Sequence, residues 1–284
     1  MTQFSPRVFA LSVTLCLAAP LLGGCGDSDK DKLAASGPAA PVEVLYNNGL
    51  DALNARRFTA AADQFASLEQ NYPFSTWTVN AQMMQAYSLY QQNTYTDAIA
   101  ALDRFIQLHP AHRDIAYVYY LRGLSYYEQI ADIQRDQKGT EAAMAALQEV
   151  VTRFPNSSFA NDAHLKIDLC RDHLAGKEME IGRYYQKQNL FQAALGRFQR
   201  VVDEYQTTAH VPEALSRLVE VYLALGLKDQ AKKTAAVLGF NDPGSEWYQH
   251  SYSQLAALGE VPAGMPAPTS GGRGVLGRAW NALF

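Results

Sequence analysis

The side chains able to do chemistry are few and poorly grouped. His109 and His112 flank Pro110 and could share a metal ion, but no third ligand lies near them in sequence, and a zinc site needs three or four. His164 and His173 are nine residues apart, a spacing that does not stack two imidazoles on one helix face as i, i+4 does. Asp168 and Asp172 do stack, as the carboxylates of any solvated helix face can. Gly272-Arg273-Gly274-Val275-Leu276-Gly277 has the glycine spacing of a dinucleotide loop, yet no strand precedes it and barely a turn of helix could follow. Gly-x-Ser-x-Gly, His-Glu-x-x-His and phosphate-loop motifs are missing from the sequence. The expectation is a protein that is not an enzyme and carries no metal or dissociable cofactor.

What the sequence supplies instead is binding surface. Its 16 tyrosines are not spread evenly, and each offers apolar area with a hydrogen-bonding tip and little rotamer entropy to lose. Which rings share a face depends on the elements that carry them.

From Val42 onward the apolar pattern is helical, with almost no period-2 alternation, and Gly and Pro fall mostly between the apolar stripes. The pattern also repeats. Ala61, Phe65, Leu68 and Pro73 recur in spacing as Ala98, Leu102, Phe105, Pro110 and as Ala143, Leu147, Val150, Pro155. Two further copies are Ala194, Phe198, Val201 with Gln206 in place of Pro, and Ala231, Ala235, Leu238, Pro243. Ahead of each stands a small or branched residue with a partner three on: Gly49/Ala52, Ala86/Leu89, Gly123/Tyr126, Gly182/Tyr185 and Val219/Tyr222. A small residue lets two antiparallel helices approach, a large one fills the space beside it, and Pro ends the unit.

This resembles the tetratricopeptide repeat, whose unit is about 34 residues. Pro73 to Pro110 is 37 residues, and so is Gln206 to Pro243, while the two middle intervals are 45 and 51. Two interruptions follow: a polar loop near Ala131 to Gly139, and extra residues before Gly182 that extend one long helix through Phe159 to Ala175. Asn161-Asp162 is the expected cap of that helix, with Thr96-Asp97 and Thr140-Glu141 opening second helices. The expected fold is all-α, a right-handed superhelical solenoid of about five helix pairs over 42–257.

In such a stack the first helix of each pair lines a concave groove. The spacing puts Tyr46, Met83, Tyr87, Tyr90, Tyr117, Tyr120 and Tyr127 there in units one to three, with about half of the rings expected to pack between helices instead. Units four and five present Arg183, Gln186, Lys187, Glu213 and Glu220, so the groove changes character along its length.

The N-terminus reads as a secretory signal, 1–24. Arg7 precedes an apolar run from Val8 to Leu22, too short for the roughly 20 residues that span a bilayer. The run ends in Leu22-Gly23-Gly24-Cys25, which resembles a bacterial lipobox. That resemblance implies diacylglycerol on the Cys25 sulfur and an acyl chain on its nitrogen, several chains together being enough for stable anchoring. Gly26 follows the Cys, where Asp would favour inner-membrane retention, so the outer membrane is expected, on its periplasmic face. Residues 25–41 form a lipidated, flexible tether rich in Asp, Ser, Ala, Gly and Pro. Cleavage leaves 23 basic against 28 acidic residues and Cys170 as the one free thiol, at an apolar helical phase that suits a small core residue. The formal net charge of −4 on the whole chain supplies no broad positive surface for nucleic acid. It also leaves membrane residence to lipid rather than to basic attraction. Residues 258–284 read as a Gly/Pro-rich tail closing in a short apolar segment with Trp280 and Phe284, whether disordered, membrane-touching or docked on another subunit.

Longer stretches carry a closer likeness: Asn71-Tyr72-Pro73-Phe74-Ser75, Asp103-Arg104-Phe105-Ile106, Arg122-Gly123-Leu124, Arg153-Phe154-Pro155-Asn156-Ser157, Gly182-Arg183-Tyr184-Tyr185 and Arg197-Phe198-Gln199. In these the chain resembles the BamD (ComL) family of outer-membrane β-barrel assembly lipoproteins, from about Val42 to Tyr248 and at the lipobox. The resemblance implies a non-catalytic subunit of the BAM machine beside other BAM lipoproteins. Its C-terminal repeats would hold the periplasmic domains of BamA, here through Arg183, Tyr184 and Arg197. Its N-terminal repeats would receive the aromatic-ended C-terminal segments of outer-membrane proteins, with Arg104 and Arg122 pairing either with the peptide carboxylate or with acids on neighbouring helices. The alternative from another class is a periplasmic repeat lipoprotein that scaffolds a peptidoglycan-processing enzyme.

Overall fold

The computed structural model describes residues 40–268. The expected signal peptide, the lipidated Cys25, the tether up to residue 39 and the tail from residue 269 lie outside the described residues.

Among the described residues there are eleven α-helices and no strand. They run as pairs: α1 Val42–Asn54 with α2 Phe58–Asn71, α3 Thr76–Gln91 with α4 Tyr95–Leu108, and α5 Ile115–Tyr127 with α6 Lys138–Arg153. Next come α7 Ser158–Lys187 with α8 Phe191–Glu204, α9 Val211–Ala224 with α10 Lys228–Asn241, and a closing single helix, α11 Glu246–Ala257. Each helix packs on the next, and α1, α3, α5 and α7 also touch in sequence. The first helices of pairs one to four therefore lie side by side along one face of the stack.

The recurring residues are the core. Ala61, Phe65 and Leu68, and their counterparts through Ala231, Ala235 and Leu238, are all essentially without solvent contact. Opposite them the small positions set the helix spacing. A Cβ on Gly49 would stand 2.6 Å from Phe65 Cε1, and one on Gly182 2.5 Å from Phe198 Cε1. In unit five the sizes are exchanged, Val219 sharing a core cluster with Ala235. The departure from a small residue at position 219 is thus matched across the helix pair rather than being a weak copy.

The turns inside the pairs also repeat. Arg56, Asn93, Asn189 and Gly226 end first helices with φ of 56°, 64°, 60° and 74°, the left-handed conformation that Gly and Asn take at least cost. Arg56 is the outlier in type, with a Cβ that costs roughly 1–2 kcal/mol in this region. Arg56→Gly is expected to raise stability by about 0.5–1 kcal/mol after glycine's extra unfolded-state entropy, a rise in urea midpoint at unchanged slope.

Both expected interruptions are present, and they meet. The loop 128–137 is held by the Gln137 amide, which donates to the carbonyls of Asp132 and Arg135 at 3.1 and 3.0 Å and accepts from the Thr140 hydroxyl at 2.8 Å. It docks on the extension of α7, where His173 Nε2 donates to the Ala131 carbonyl at 3.0 Å and Ile133 lies over Gly176. The long helix starts earlier than Asn161-Asp162: Ser157 is its cap residue and Asp162 sits inside it, facing α5. The second helices likewise begin at Tyr95 and Lys138, ahead of the Thr-Asp and Thr-Glu pairs. Cys170 is buried in this helix, and burial pushes its thiol up to about 11.

The start of the tail is not loose. Val261 and Met265 pack against the last core clusters, Tyr248 donates its hydroxyl to the Pro266 carbonyl at 2.5 Å, and Glu260 pairs with Lys228 and Lys232. Two apolar anchors in a Pro/Gly stretch, together with a buried tyrosine hydroxyl that needs an acceptor, hold residues 258–266 down.

Candidate binding groove

Met83, Tyr87 and Tyr90 on α3 stand at i, i+4, i+7, one helix face. They and Tyr117 of α5 pack partly exposed over one core cluster that includes Ala86, Leu102 and Val118. Tyr117 and Tyr120 both meet Phe159 of α7, with ring centroids 5.5 and 5.1 Å away, the second pair stacked at 24°. Three neighbouring first helices thus contribute to one half-exposed aromatic surface.

Three of its hydroxyls, those of Tyr90, Tyr117 and Tyr120, are held in the protonated, donating form. Burial, reinforced by the neighbouring Tyr87 and Tyr90 phenols, pushes Tyr117 up to about 12. Burial and then the Glu128 carboxylate do the same to Tyr90. Tyr120 is also raised, by burial and by the hydrogen bond it donates to Asp162 Oδ2 at 2.5 Å. Tyr46 sits apart, its ring 4.9 Å from Trp77 and 5.7 Å from Phe65. It packs the junction of α1, α2 and α3. Tyr127 carries the surface toward the far end of α5, under the Lys166 ammonium at 5.1 Å.

The two arginines expected with these rings belong elsewhere. Arg122 follows Tyr120 by two residues, roughly 200° around the helix axis, and so faces the second helices. It is 16% exposed, binds Asp103 at 3.0 Å and Glu149 at short range, and lies over the Tyr119 ring. Arg104, on α4, pairs with Glu69 at 2.9 Å. Of the two pairings open to them in sequence, the structure gives acids on neighbouring helices.

The residues that sequence reading missed are on α7. Phe159, Asp162 and Lys166 stand at i, i+3, i+7 and face Tyr117, Tyr120 and Tyr127 in turn. Their signal was the same helical spacing, but it falls in the inserted stretch where the repeat template has no counterpart.

In the C-terminal half the inner side is charged. Arg183 holds Glu213 at 3.0 Å, Arg217 links Glu213 to Glu220, and His250 closes the series on Glu220 at 2.8 Å. Arg197 is not in this series: it pairs at 2.9 Å with Glu178, a carboxylate only 8% exposed that also accepts from Arg200. Glu178 and Arg183 are five residues apart, about 140° around α7. Arg183 and Arg197 thus engage acids on different helices, and of the three residues Tyr184 is the most exposed, at 61%.

His109 Nε2 donates to Gln82 Oε1 at 2.8 Å, and its ring lies tilted against Phe105. Among the described residues no three His, Cys, Asp or Glu side chains are placed to hold a metal, and no helix is long and apolar enough to cross a membrane.

Residues 38–238 match the YfiO family model, described as an outer membrane lipoprotein. The chain belongs to that family. It is 44% identical to the outer membrane protein assembly factor BamD of Caulobacter vibrioides over 270 residues, 95% of this chain and 88% of that one. It is 47% identical to the BamD of Rickettsia prowazekii over 82% of this chain and 91% of that one, and 35% identical to a Neisseria meningitidis serogroup A BamD over 85% and 94%. Among solved structures, the TPR2AB domain of yeast Sti1 is similar at a TM-score of 0.40 and 13% identity, over 77% of this chain and 84% of that one. The YfiO match takes in the aromatic surface, the α7 extension and the Arg183–Glu220 series, and stops within α10.

Proposed function

We propose that this protein is a non-catalytic scaffold in outer-membrane protein assembly, with two binding regions on one solenoid. The aromatic surface of α3, α5 and α7 receives extended, apolar C-terminal segments of unfolded outer-membrane proteins. The C-terminal pairs hold the periplasmic domains of a BamA-type barrel subunit. Cys25, acylated, tethers the whole to the periplasmic face of the outer membrane beside other lipoproteins of the same machine.

The observation that carries this reading is the continuity of Tyr87, Tyr90, Tyr117, Tyr120 and Phe159 across three helices, half-exposed, with the hydroxyls of Tyr90, Tyr117 and Tyr120 kept protonated. Such a surface suits a segment with alternating apolar side chains and an unpaired backbone, because rings supply area and hydroxyls supply hydrogen bonds. The names of the relatives favour the same role. On the other side, Tyr184 offers a ring to solvent, and the Arg183–Glu213–Arg217–Glu220 series offers charges whose spare lone pairs and protons can be shared with a polar partner.

Mild detergent extraction and affinity purification of the full-length lipoprotein test this directly. A large β-barrel protein with periplasmic domains is expected to co-elute in near-stoichiometric amount. Co-elution of a peptidoglycan synthase or hydrolase in its place would overturn the assembly reading in favour of a cell-wall scaffold.

A further inference from the structure

With Arg104 and Arg122 paired to acids on neighbouring helices, Lys166 is, among the described residues, a basic side chain that lies against the tyrosines. Its ammonium stands 5.1 Å from the Tyr127 ring centroid and 3.5 Å from Asp162 Oδ2. The same Oδ2 accepts the Tyr120 hydroxyl at 2.5 Å. An ammonium has three donors, and Asp162 meets it as an ion pair at 3.5 Å, beyond the usual hydrogen-bond range. The Lys166 side chain is 23% exposed, so its donors are sheltered but open to a ligand. Asp162 already shows what this corner recognises, a carboxylate oxygen held between a phenol and an ammonium, with a stacked Tyr120–Phe159 pair beside it.

We propose that Lys166 receives the free terminal carboxylate of the bound segment and seats its last aromatic side chain against Tyr120 and Phe159. This rests on the groove reading above and deepens it: the surface selects chain ends, not aromatic segments in general. Recognition of a chain terminus by one ammonium set in an aromatic wall needs no sequence-specific contact, which fits a site that serves many partners. Asp162 holds the ammonium in place when the groove is empty. Because Asp162 stays paired to Tyr120 in either state, the arriving carboxylate adds a contact to Lys166 without stranding an acid.

The test is fluorescence anisotropy with a short labelled peptide ending in phenylalanine, made once with a free carboxylate and once as the amide. Wild type is expected to bind the acid about tenfold more tightly than the amide, the range of one charge-assisted hydrogen bond. Lys166→Met should bring acid and amide together at the amide's affinity, and Lys166→Arg should keep most of the discrimination. Equal binding of acid and amide by wild type, or discrimination that survives in Lys166→Met, overturns the assignment while leaving the groove itself standing. No binding of either peptide by wild type overturns both. Circular dichroism melts of the three proteins exclude a folding defect as the cause.

Discussion

Replacing Tyr87 and Tyr120 together by alanine weakens binding of an aromatic-ended outer-membrane-protein peptide by about 30-fold or more. Central interface tyrosines typically cost about 1–2 kcal/mol or more each on truncation, and every 1.4 kcal/mol is tenfold in affinity. The two rings sit on different helices, α3 and α5, and both belong to the continuous surface that also includes Tyr117. Two controls separate lost contact from lost fold. Tyr119→Ala strips a ring that is 8% exposed, lies against Arg122 and Arg153 and belongs to the core cluster on which Tyr120 and Phe159 pack; it should lower the melting temperature and change affinity far less than the double variant. Tyr120→Phe removes only the hydroxyl given to Asp162 and should keep most of the affinity. Unchanged affinity in the double variant would sink the groove.

The repeat was legible in the sequence because its signal is burial, and burial is periodic. Ala194, Phe198 and Val201 are fixed in type by the neighbouring helix, so the same three kinds of residue recur wherever that neighbour recurs. The groove was legible only in part. Tyr87 and Tyr117 could be placed because their spacing from the repeat positions Ala86 and Gly123 fixes their phase on the helix. The partner of Arg122 stayed open between two choices because charge says nothing about which side of a helix a residue takes, and the acids that hold it, Asp103 and Glu149, come from two other helices. Lys166 and Phe159 were missed for the opposite reason, since they obey the helical spacing but lie where the repeat is interrupted. The contact between the two interruptions could not be read at all. Ile133 and Gly176 are each unremarkable in their own segment, and only the fold brings the loop onto α7. Residues 258–266 show the same limit: Pro and Gly suggest a linker, while two apolar side chains and one buried phenol decide otherwise.

Gly182→Ala is expected to destabilise the protein by about 1–3 kcal/mol, although alanine is the better helix former by roughly 0.5–1 kcal/mol. The added methyl would lie 2.5 Å from Phe198 Cε1 and 2.8 Å from Cδ1, and Phe198 has no room to retreat, being wholly buried among Met179, Ala194 and Val201. Phe198→Ala alone is expected to cost about 3–5 kcal/mol, from lost transfer energy and the cavity left behind. The chain itself indicates a repair. Unit two uses Ala86 and Leu102 at the corresponding positions, both buried in one cluster, so Gly182→Ala with Phe198→Leu installs a pair already proven in the same solenoid. The double variant should be more stable than the sum of the single costs predicts, by at least about 1 kcal/mol, within the range seen for residues in contact. Urea melts of the wild type, both single variants and the double variant measure that coupling. Additive costs would show that the helix spacing in unit four is set by something other than the Gly182–Phe198 contact. A favourable coupling would mean that each repeat chooses its helix separation by one complementary pair. Val219 opposite Ala235 would then follow the same rule with the sizes exchanged.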